Sequence, residues 1–204
     1  MKKQTLKIFK TMFFILAAVA IVGCKDIPVP KPKGFFRIDM PEREYVTFYP
    51  RKNSNEYLPF TFEYPAFGKL NFNEEFEDEK GWFNIEFPAY KASLYLTYRD
   101  INRDFDELME QTYRMNIRNH VAKADAINQI EYVNVDDRVY GMLYDLKGNT
   151  ATALQFYTTD SVRHFLRGSL YFQTTPNADS LEPVINYFRE DIITLIETLR
   201  WAAL

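Results

Sequence analysis

Residues 129–172 read QIEYVNVDDRVYGMLYDLKGNTATALQFYTTDSVRHFLRGSLYF, and their patterning decides the fold. Four runs rich in β-branched and aromatic residues, 129–135, 138–146, 150–158 and 163–172, are separated by short polar breaks. Asp136-Asp137 and Gly148-Asn149 sit in those breaks as hairpin-turn residues, because Asp, Asn and Gly tolerate the left-handed backbone of a tight turn. The run predicts consecutive antiparallel strands. Upstream, YVTFY at 45–49 and FTFEY at 60–64 are short strands bounded by prolines. WFNIEF at 82–87 follows Gly81 and alternates apolar with polar from Phe83. In 92–98, Leu94, Leu96 and Tyr98 alternate with Tyr95 and Thr97, which suits a strand covered on both faces.

Two helices interrupt the strands. From Arg103 to about Lys123, Phe105, Leu108, Met109, Thr112 and Met115 fall on one face at a period of 3.6. Later, Leu181, Val184, Ile185, Phe188, Ile192, Leu195, Ile196 and Leu199 form one apolar stripe, with Glu190, Asp191 and Glu197 mostly outside it. Asp179 and Glu182 have capping-box spacing, which would put Pro183 in the tolerated first turn. Strands, helix, four strands, helix is the order of an α+β domain, a largely antiparallel sheet packed by two main helices. At the level of fold it loosely resembles the Mog1/PsbP type of α/β/α sandwich.

The beginning of the chain carries a different message. Lys2, Lys3, Lys7 and Lys10 precede an apolar run, TMFFILAAVAIV, from Thr11 to Val22. That is the length of a secretory h-region and too short for a bilayer core, which takes ~20 residues. The run ends in Ile21-Val22-Gly23-Cys24, which resembles a bacterial lipobox. In that chemistry the Cys24 thiol takes up diacylglycerol, and Gly23 is small enough for cleavage immediately before it. Residues 1–23 are then a removable leader. By resemblance to the class, Cys24 becomes an amino terminus bearing three acyl chains, palmitate among them, and several chains anchor stably where one does not. Cys24 is the only cysteine, so disulfides are excluded. Lys25 is not the aspartate that retains enteric lipoproteins in the inner membrane. With only Asp26 as an acid nearby, the expected location is the periplasmic face of the outer membrane.

The mature chain has 181 residues (204 minus 23), enough for one domain with a sizeable core. Removing the four leader lysines from 25 basic residues leaves 21 against 28 acidic ones, near −7, which disfavours nucleic acid as a partner. Aromatic residues make up 17%, as expected for a large β core and alternatively for a ligand-binding face. Residues 24–41 are expected to form the lipidated cysteine and a Pro/Lys tether, with the globular domain at 42–204. Pro28, Pro30 and Pro32 make the tether extended, with a reach of roughly 30 Å for ten residues.

Within that tether, Pro30-Lys31-Pro32-Lys33-Gly34-Phe35-Phe36-Arg37-Ile38-Asp39-Met40-Pro41 resembles a segment of the gliding-motility lipoprotein family GldD of the Bacteroidetes. The resemblance implies a membrane-held envelope protein serving the gliding apparatus, which works beside type IX secretion. Its partners would be other envelope proteins, and the family supplies no catalytic residues to transfer.

Chemistry outside that resemblance is sparse. His120 and His164 stand apart in sequence, and two histidines fall short of a zinc set. Glu74, Glu75, Glu77, Asp78 and Glu79 lack the spacing of a calcium loop and read as a solvated turn. There is no nucleophile elbow, phosphate loop or H-E-x-x-H. No enzyme activity, metal, small-molecule substrate or cofactor is expected beyond the lipid on Cys24. The alternatives are an envelope lipoprotein binding glycan or peptide through Tyr90, Tyr95, Tyr140 or Tyr157, or a hydrolase joining His120 or His164 to paired carboxylates in a cleft.

Overall fold

The computed structural model describes residues 38–53, 56–72, 81–175 and 177–202. The leader, Gly23, Cys24, Pro30 to Arg37 and the acidic run from Glu74 to Glu79 lie outside the described residues. In chain order the elements are β1 (Tyr45–Phe48), β2 (Arg51–Asn53), β3 (Glu56–Leu58), β4 (Phe60–Pro65), β5 (Lys69–Asn71), β6 (Trp82–Phe87), β7 (Ala92–Asp100) and α1 (Phe105–Tyr113). Then follow β8 (Ala126–Asn134), β9 (Val139–Lys147), β10 (Thr152–Thr159), β11 (His164–Phe172), α2 (Ala178–Thr198) and β12 (Arg200–Trp201).

The main sheet has seven strands in the order β5-β6-β7-β11-β10-β9-β8. Its registers are antiparallel throughout. The four-strand run is therefore real, with β8 starting three residues earlier than its apolar pattern suggests. Its first turn is closed by Arg138 N–H donating to the Val135 carbonyl at 3.3 Å and by the Asn134 side-chain amide donating to Asp137 at 2.8 Å. Gly148 takes φ +95° in the next connection, where a side chain would be strained. A smaller sheet, β1-β4-β12, joins the two strands expected at 45–49 and 60–64 to β12, which has no clear sequence signal because it is two residues long and pairs far back in the chain with β4.

The two helices cover opposite faces of the main sheet. Register puts Leu94, Leu96, Leu166 and Leu170 on one face, and α2 lays Val184, Phe188, Ile192, Leu195 and Ile196 onto it. The small sheet extends that layer through stacked rings: Phe48 lies 4.8 Å from Phe62 and 5.5 Å from Phe83. Among the described residues most phenylalanines are thus core, where each buried ring removes about 150–250 Å² from water. On the other face α1 sits over Phe165, with Phe105 edge-on to it at 6.4 Å.

Three local expectations are corrected. The first helix does not run unbroken from Arg103 to Lys123: α1 ends at Tyr113 and passes into a π-helical turn, Arg114–Arg118. The wider turn shifts the register, so that Asn116 faces the sheet and Met115 stays 45% exposed. The N-cap of α2 is Asn177, whose side chain accepts from Ser180 N–H at 3.4 Å, and not Asp179 of the anticipated capping box. Pro183 is consequently inside the helix, beyond its first turn.

Candidate functional site

Two places stand out: the seat of the tether motif, and a groove on the sheet face that α1 only partly covers. At the seat, the Tyr90 hydroxyl donates to the Asp39 carbonyl at 3.3 Å and the Tyr187 hydroxyl to the Pro41 carbonyl at 3.0 Å. Met40 packs against the core, while Ile38 is exposed. Arg43 stacks over the Tyr187 ring at 4.6 Å and approaches Asp191 at 3.4 Å. Tyr45 donates to the same carboxylate at 2.8 Å. The last residues of the motif are thereby fastened to α2.

Asp191 is only 3% exposed. Burial pushes its carboxyl above the usual 3.8, and the opposing pull of Tyr45 and Arg43 does not cancel the shift. The native state holds this proton more tightly than the unfolded chain does. Its contribution to stability therefore falls as pH rises from 3.8 through the raised native value. Asp191→Asn keeps an acceptor for Tyr45 and is expected to remove that decline. Melting curves of both proteins across this window should show the wild type losing stability relative to the variant as pH rises; a pH-independent difference would contradict it.

The groove, about 410 Å³, is lined by Trp82 and Asn84 from β6, Tyr95 and Thr97 from β7, Arg167, Ser169 and Tyr171 from β11, and Met115 and Asn116 of the π turn. Tyr95 and Tyr171 meet edge to face at 5.5 Å. Arg167 donates to the Met115 sulfur at 3.1 Å, a weak acceptor. Burial, then the nearby Arg99, lowers the pKa of its guanidinium, and no carboxylate pairs with it among the described residues. Asn116 is 4% exposed, and its side-chain amide nitrogen has no hydrogen-bond partner.

The four tyrosines singled out from the sequence do not converge. Tyr95 lines the groove, whereas Tyr90 belongs to the motif seat. Tyr157 stacks on Phe165 at 5.6 Å, and Tyr140 is half-buried on β9. Sequence reasoning misses Trp82, Tyr171, Arg167 and Asn116. The first three share a sheet face by period two, a signal present in the sequence once the register is known.

Among the described residues neither histidine is joined to paired carboxylates in a cleft. His164 is 5% exposed and stacks on Trp201 at 4.9 Å. The Tyr98 hydroxyl donates to Asp100 at 2.6 Å and lies 2.8 Å from His164 Nδ1, from which it can accept. Asp160 receives the backbone N–H groups of Val162, Arg163 and His164. Burial raises the Asp160 carboxyl, but those donors outweigh it and hold the pKa below the ordinary value. Burial lowers the pKa of His164 despite both acids. This arrangement fixes a turn. His120 is half-buried, 3.0 Å from the Gln155 amide nitrogen, its pKa lowered by burial and then by Lys123. Among the described residues no group of three or more His, Cys, Asp or Glu is arranged to hold a metal.

A family model described as gliding motility lipoprotein GldD matches residues 25–201. No individual curated protein matches the chain.

Proposed function

Because the chain belongs to the GldD family of gliding motility lipoproteins, we propose that it is a non-enzymatic component of the gliding machinery that works by holding other envelope proteins. Cys24 would carry the lipid that attaches it, at the periplasmic face of the outer membrane, beside type IX secretion. Among the described residues no helix is long and apolar enough to cross a membrane.

The observation that supports contact with a protein partner is β8. It closes one edge of the main sheet, pairs with β9 on one side, and spans nine residues, most of them exposed. Such an edge is a ready template for an added strand unless it is shielded. Ile130 and Val133 are exposed along it, on opposite faces.

Deleting the gene, or changing Cys24 to Ala, is expected to abolish spreading on agar in a gliding host. Normal spreading and secretion in both strains would refute the proposal. A photo-crosslinker placed at Val133 is expected to trap an envelope protein in wild-type cells.

A further inference from the structure

The groove beside Trp82 lies apart from both β8 and the motif seat. We propose that it binds an acidic saccharide, a sugar ring bearing a carboxylate. Its volume of about 410 Å³ falls in the range of small-molecule sites, ~300–1,000 Å³. Tyr95 and Tyr171, both exposed, present rings on which the apolar face of a pyranose can lie. Between them stand two amides, Asn84 and Asn116, and two hydroxyls, Thr97 and Ser169, the donors and acceptors that sugar hydroxyls require.

Two unmet needs set the class more narrowly. Arg167 is half-buried, the described partner of its guanidinium is only a thioether, and a ligand carboxylate would match its fork. The buried Asn116 amide has no acceptor, and a ligand oxygen would supply one. A purely hydrocarbon ligand would fill the same volume and leave both groups unsatisfied, which costs affinity. A neutral sugar would meet the amide and leave the guanidinium.

The test uses the mature lipoprotein in detergent micelles, titrated calorimetrically with two matched pairs. These are N-acetylmuramic acid against N-acetylglucosamine, and glucuronic acid against glucose. In at least one pair the acid is expected to bind about tenfold more tightly than its neutral parent. Arg167→Gln should reduce that preference to within about twofold, and Tyr95→Ala, at an exposed position, should weaken acid and neutral sugar alike. Absence of binding by both acids, equal affinity within both pairs, or an undiminished acid preference in folded Arg167→Gln would overturn the proposal. Should Arg167→Gln not fold, Tyr95→Ala decides: unchanged affinity for the acid overturns it.

Discussion

Gly141→Ala is expected to destabilise the domain by about 3 kcal/mol, at the upper end of what overpacking ordinarily costs. A Cβ at position 141 would stand 2.3 Å from the Tyr157 carbonyl oxygen. The obstacle is backbone, so no rotamer change relieves it. Gly141 faces Thr158 in the β9–β10 ladder, on a strand paired on both sides, and the strands would have to part there. At about 2–4 °C per kcal/mol for a chain of this size, the melting temperature should fall by roughly 6–12 °C. Thermal denaturation followed by circular dichroism measures it, and an unchanged midpoint would show that β9 and β10 are not held this closely.

Phe188→Ala should cost at least as much, about 3–5 kcal/mol. Phe188 is the residue of α2 on which the aromatic part of the core converges. Its ring lies 4.6 Å from Phe87, 5.6 Å from Tyr90 and 6.3 Å from Phe172. Truncation leaves a cavity bordered by β6, β11 and the tyrosine that binds Asp39. Phe188→Leu keeps most of the volume and should recover a large part of the loss. If both variants melt alike, the cavity account fails.

How much of this is legible in the sequence follows from the range of each interaction. The 129–172 strands and the α2 stripe are readable because alternation and the 3.6 period are local and strong. The pairing of β12 with β4 is not, since two residues carry no period and their partner is remote. The end of α1 escapes the sequence because Met115 continues the helical period, while the π turn hands its place to Asn116. The groove is hidden for a related reason. Trp82, Tyr95 and Arg167 become neighbours only through the register of β6, β7 and β11, and they remain accessible only because the helix stops short of them. The tether motif is legible as a family resemblance, but the tyrosines that hold its end, Tyr90 and Tyr187, lie far from it in sequence and belong to no motif.

The small sheet has a consequence for how the protein is made. Strand β4 is flanked by β1 from early in the chain and by β12 from residues 200–201. β1 and β4 are close in the chain and can pair early, yet one side of β4 stays bare until the remote residues 200–201 arrive. Closure of the small sheet therefore waits on a segment far along the chain, and polypeptides cut before Arg200 would present an open strand to chaperones and proteases.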